Sequence, residues 1–169
     1  NSVEKHSENL INISDQIWEL AETAFNEHES SKILSDYAEK NGFSIEKGVA
    51  GMPTAFIATY GEGEPVIGVL GEFDALPGLS QQAKPIKSPI SEEAAGHGCR
   101  HNMFGSGSLG AAIAIKEMIE HDGPVVADVQ VEKMENVYPM IPAGAGHHEM
   151  KLGSDDNIAP RTEEGMVLV

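Results

Sequence analysis

The residues predict an α/β fold built on a central sheet, and three observations carry that expectation. Two stretches near the amino end place apolar residues at helical spacing. The run PVIGVL at 65–70 is almost continuously apolar, as a strand buried on both faces is. The run SGSLGAAIAIKEMIE at 106–120 is apolar on most sides, as a helix packed against a sheet is. With 169 residues the chain can bury one domain-sized core.

The first expected helix covers 4–26, where Leu10, Ile13, Ile17, Leu20 and Ala24 share one face and Trp18 flanks it as a core residue. The second covers about 30–41. Ser30 or Ser31 can cap it, Gly42 can end it, and Ile33, Leu34, Tyr37 and Ala38 form its apolar side. Phe43 and Ile45 then alternate with polar neighbours, and TAFIATY at 54–60 reads as a strand closed by the turn GEGE. PVIGVL leads into GEFDALPGL. In open α/β sheets ligands bind beyond the carboxyl ends of the strands, so Glu72 and Asp74 stand where chemistry is often found. Residues 80–95 read as a polar connector, and 106–120 as the buried helix. In VVADVQVE, Val125, Ala127, Val129 and Val131 alternate with polar residues, the pattern of a half-exposed strand. From about Lys133 the periodicity fades, and only MVLV at the end is strand-like.

The formal charge of −16 argues against nucleic acid and against anionic membrane surfaces as partners, and is compatible with a bound cation. No run has the length and apolarity of a membrane span, and the first residues lack the apolar stretch of a secretory leader, so a cytoplasmic protein is expected. A single cysteine rules out an internal disulfide.

That cysteine lies in GHGCRHN at 96–102. Cys99 and His101 could face one point from a glycine-rich loop, and thiolate and imidazole both suit a borderline-soft divalent ion. His97 and Asp74 would then orient the ligands from behind. Two other readings stand beside this one: a Cys99 nucleophile with His97 or His101 as base, and a loop that binds nothing. GSGSLG at 105–110 matches the dinucleotide fingerprint but lacks the strand that should precede it, so small residues packing a helix closely account for it as well. Glu163 and Glu164 form an adjacent carboxylate pair in which one member could hold a metal while the other takes a proton. His147, His148 and Glu149 form a further ligand-type cluster.

Three stretches taken together resemble the amino-terminal part of the aminoacylase and carboxypeptidase family of metal-dependent amidohydrolases, over roughly residues 8–123. They are ISDQIWELAETAFNEHESSKILSDYAEKNGF, MPTAFIATYGEGEPVIGVLGEFDALPGLSQQ, and GHGCRHN followed by the small-residue helix. The resemblance implies a zinc-exopeptidase-like three-layer domain with a mostly parallel central sheet, part of which this chain covers. It implies a divalent metal, zinc or manganese, as one ion or two. Cys99 and His101 would bind it, Glu163 would act as the general base on the attacking water, and Glu164 would be a further ligand. The implied substrate is a small N-acyl amino acid such as an aminobenzoyl-glutamate, cleaved at its amide bond. Association with further copies or with a partner chain is left open.

On this reading residues 1–123 are the amino-terminal part of the catalytic domain. Residues 124–169 are a segment in which neither the family's inserted lid or dimerisation domain nor its final histidine ligand is recognised. The chain departs from the family pattern in two further ways. Arg100 stands where the family loop has glycine, and the Glu-Glu pair lies about twice as far along the chain as expected. A catalytically inactive fragment or binding module that keeps the fold is therefore the competing functional expectation.

Overall fold

The computed structural model describes residues 2–84 and 86–129. The chain divides into two compact units, Asn1–Val125 and Val126–Val169. In the second, the described residues 126–129 form neither helix nor strand. The first mixes helix and strand: α1 (Ser2–Leu20), α2 (His28–Lys40), β1 (Ser44–Lys47), a short 3-10 turn (Val49–Gly51), β2 (Phe56–Thr59) and α3 (His101–Glu120).

Helix α1 buries Ile13 and Ile17 from the expected stripe but stops at Leu20, six residues early. Ala21 takes a left-handed φ of 46°, and the chain turns there. The turn brings the Glu22 carboxylate to the start of α2, where it accepts the backbone N–H groups of Glu29 (3.1 Å) and Ser30 (2.8 Å) and the Ser30 hydroxyl (2.7 Å). Burial pushes the Glu22 carboxyl up, and the Ser30 and Glu29 donors outweigh it and leave the group below its usual range. A carboxylate six residues upstream thus does the work expected of a serine cap, so α2 begins at His28 rather than Ser30. At the other end Gly42 closes the helix as expected. It takes φ 87°, its N–H reaches the Glu39 carbonyl (2.9 Å), and the Phe43 N–H reaches that of Ala38 (3.2 Å).

Strands β1 and β2 pair antiparallel, with Ser44 opposite Thr59 and Lys47 opposite Phe56. This hairpin is the one sheet among the described residues. The mostly parallel sheet expected from the sequence is not found there, and PVIGVL is not a strand. Val66, Ile67 and Leu70 are 79%, 68% and 73% exposed. A strand buried on both faces needs a partner strand and a covering layer on each side, and the described residues supply no strand beside it. Residues 124–129 of the second expected strand are likewise irregular, with Val126 and Val129 exposed.

Two apolar clusters form the core. Ile13, Ile17 and Leu34 make the first, with Phe56 and Phe73 against it; Ala38, Phe43 and Ile113 make the second; Tyr37 and Leu109 touch both. Trp18 is half-buried rather than a core residue. Helix α3 starts at His101, five residues ahead of expectation, and its small residues admit neighbouring chain. A side chain on Gly105 would lie 3.0 Å from the Glu72 carbonyl oxygen, and the Ser108 hydroxyl donates to the Leu70 carbonyl (2.6 Å). That contact accounts for GSGSLG without a nucleotide. Among the described residues no helix is long and apolar enough to cross a membrane.

Candidate metal centre

Residues 72–76 are held extended from both sides. Ala75 donates its N–H to the Glu22 carbonyl (2.7 Å), and Leu76 exchanges two backbone bonds of 3.1 Å with Gly96. Along an extended segment alternate side chains share a face. Phe73 packs on the core and Ala75 is buried, which puts Glu72 and Asp74 together on the other face.

Arg100, at the cap of α3, delivers the imidazole to that face. Its backbone is left-handed (φ 71°, ψ 21°), its N–H bonds to the His97 carbonyl (2.8 Å), and its own carbonyl receives the N–H groups of Met103 and Phe104. This is the conformation glycine adopts without penalty and a branched Cα does not. Arg100→Gly is therefore expected to raise the midpoint of thermal unfolding by roughly 2 °C, since relief of the strain outweighs the added freedom of the unfolded glycine. A lowered midpoint in a circular dichroism melt would contradict it.

His101 then opens α3 beside both carboxylates. Its Nδ1 lies 2.9 Å from Asp74 Oδ1 and 3.1 Å from the Asp74 carbonyl oxygen, and its Nε2 lies 3.3 Å from Glu72 Oε2. One ligand-type atom from each of Glu72, Asp74 and His101 falls within 4.8 Å of the others. Two ligands about 2.1 Å from a tetrahedral ion sit about 3.4 Å apart, close to the Nε2–Oε2 separation. A carboxylate on Nδ1 is the arrangement that fixes the tautomer of a metal-binding histidine. The donor set of one imidazole and two carboxylates fits a divalent ion of the zinc or manganese type.

Of the residues singled out from sequence, Asp74 and His101 come together here. Glu72, noted beyond the end of the expected strand, joins them; its even spacing from Asp74 was the signal. Cys99 is a half-buried free thiol that is not one of these three. His97 is 1% exposed, and neither ring nitrogen makes a hydrogen bond. Burial pushes its imidazole below the ordinary value and the nearby His101 adds to this, while the Ile17 backbone and Asp74 oppose it. Glu163, Glu164, His147, His148 and Glu149 lie outside the described residues.

No protein-family model matches the chain. Curated proteins do. Over 125 residues it is 43% identical to the second of the p-aminobenzoyl-glutamate hydrolase subunits of Escherichia coli (strain K12), covering 72% of this chain and 26% of that one. It is 26% identical over 151 residues to thermostable carboxypeptidase 2 of Saccharolobus solfataricus, covering 85% and 38%. It is 27% identical over 131 residues to Xaa-Arg dipeptidase of Homo sapiens, covering 70% and 26%. The chain thus spans between a quarter and two fifths of the length of these relatives.

Proposed function

This chain belongs to the aminoacylase and carboxypeptidase family of amidohydrolases, whose amino-terminal part it resembles, and on that premise we propose that it supplies one side of a metal-dependent centre hydrolysing the amide bond of an N-acyl amino acid such as p-aminobenzoyl-glutamate. The single observation behind this reading is the Glu72–Asp74–His101 constellation. His101 Nε2 and the Glu72 carboxylate would hold a divalent ion, zinc or manganese, and Asp74 would fix the His101 ring through Nδ1. When bound, the ion would polarise the scissile carbonyl and make water a nucleophile near neutral pH. By family resemblance Cys99 would be a further ligand, Glu164 another, and Glu163 the base that takes the proton of water. That one relative is named as part of a multi-chain hydrolase supports assembly with a partner chain. Residues 1–123 would form the catalytic portion.

A second reading, a module that keeps the fold and binds without turnover, is favoured by Arg100 in its strained conformation and by a span of 26% of the first relative. One experiment separates them. Purified chain loaded with zinc or manganese is freed of excess metal, analysed for bound metal, and assayed for release of glutamate from p-aminobenzoyl-glutamate. Bound metal with turnover supports the hydrolase, bound metal without turnover supports the binding module, and no bound metal removes the metal centre itself.

A further inference from the structure

A cleft of about 660 Å³ lies next to the carboxylate and imidazole group, within the usual size range of a small-molecule site. The last turns of α1 line it with Asp15, Trp18 and Glu19. Segments 80–83 and 90–96 line it with alanines and Ile90. At its inner end is His97, only 1% exposed, with both ring nitrogens unpartnered. The other polar groups of those segments are already spent. The Ser80 hydroxyl donates to the Ser91 carbonyl (2.5 Å), the Gln81 side-chain amide donates to the Ile86 carbonyl (2.7 Å), and its oxygen accepts the Ser88 N–H (2.9 Å).

A buried polar group without a partner costs stability, and such groups are rare unless something binds them. A neutral imidazole offers one donor and one acceptor, which an amide matches with its carbonyl and its N–H. Trp18 and the alanines present an apolar wall suited to a ring. Asp15 and Glu19, both exposed, favour a hydrogen-bond donor at the opening and disfavour a carboxylate there.

We propose that this cleft takes the uncharged aromatic-acyl end of the substrate, an aryl amide carrying an amino group, with the ring against Trp18 and the amide hydrogen-bonded to His97. The proposal rests on the amide-hydrolase reading and adds to it a specificity pocket on the acyl side.

Trp18 is the chain's only tryptophan, so its indole N–H gives one isolated signal in a proton–nitrogen correlation spectrum. Titration of the full chain with 4-aminobenzamide is expected to move that signal saturably. Ala94→Leu, which fills the cleft from a half-exposed position, is expected to abolish the saturable shift without changing the thermal midpoint. His97→Leu removes the unpartnered nitrogens, so it is expected to fold, and to bind roughly tenfold more weakly. Benzoate is expected to bind at least about tenfold more weakly than the amide. A wild-type chain with no saturable shift, a shift that survives Ala94→Leu, or benzoate binding as well as the amide each overturns the pocket. Bound metal is measured on the same samples. A chain that holds metal without the shift loses the pocket alone, and one that shifts without holding metal loses the metal centre instead.

Discussion

Gly96→Ala is expected to lower the midpoint of thermal unfolding by roughly 10 °C, from a destabilisation of about 2–3 kcal/mol. A Cβ at this position would lie 2.4 Å from the Leu79 carbonyl oxygen and 2.5 Å from the Ser80 Cα. Both are backbone atoms, so no side-chain rotation relieves the overlap and the chain itself must move. The segments that would move also carry the site. Gly96 exchanges two 3.1 Å bonds with Leu76, at the end of the extended stretch that presents Glu72 and Asp74, and the Ser80 N–H bonds to the Ala94 carbonyl (3.0 Å). The change is therefore expected to weaken metal binding as well as stability. Gly107→Ala is the matched comparison. Nothing lies within 4 Å of a Cβ there and the residue is inside α3, so it is expected to stabilise the chain by about 0.5–1 kcal/mol. Equal effects from the two substitutions in parallel melts would contradict the close approach at Gly96.

Local chemistry was readable in the sequence where one segment determines it. Gly42 ends α2 because a left-handed glycine satisfies the last carbonyls, and that needs no distant partner. The stripe through Ile13 and Ile17 marks the buried face of α1 for the same reason. The reading failed where a long-range contact decides. The cap of α2 is Glu22, which reaches it only because Ala21 breaks α1. The start of α3 was hidden because His101–Gly105 contains residues that read as loop, and its helical state is supported by the chain packing at Gly105 and by Ser14, whose hydroxyl accepts from the Asn102 amide (2.9 Å). PVIGVL shows the limit of a hydrophobic run: its apolarity records what could cover it, and the described residues leave much of it exposed.

The site divides the same way. Asp74 and His101 could be singled out from motif and position, and Arg100 could be marked as standing in a glycine's place; its φ of 71° gives that mismatch a physical form. The value of Glu72 depended on an alternation that the bridges at Ala75 and Leu76 impose. The lack of partners on His97 could not be read at all, because it is a property of the space around the ring rather than of the ring.

Replacing His101 with alanine is expected to weaken zinc or manganese binding at least about a hundredfold, because the imidazole is the group on which both carboxylates converge. Glu72→Gln keeps the size of the side chain and removes the charge facing Nε2, with an expected loss of roughly ten- to a hundredfold. Asp74→Asn is expected to cost about tenfold, since an amide can present its N–H where the carboxylate accepted one and so disturb the ring's tautomer. Cys99→Ser decides between two ligand sets. If the thiolate binds the ion as the family resemblance implies, affinity falls with the histidine variant, and a cobalt-loaded wild type shows a sulfur-to-metal charge-transfer band that the serine variant lacks. If the ion rests on Glu72 and His101 without it, affinity is unchanged and no such band appears. Each variant is read by the thermal midpoint with and without metal as well as by bound metal. At a hundredfold excess over Kd an ion adds about 2.7 kcal/mol to the folded state, a shift that the His101 variant is expected to lose. A full metal-dependent shift retained in His101→Ala would move the centre away from this histidine.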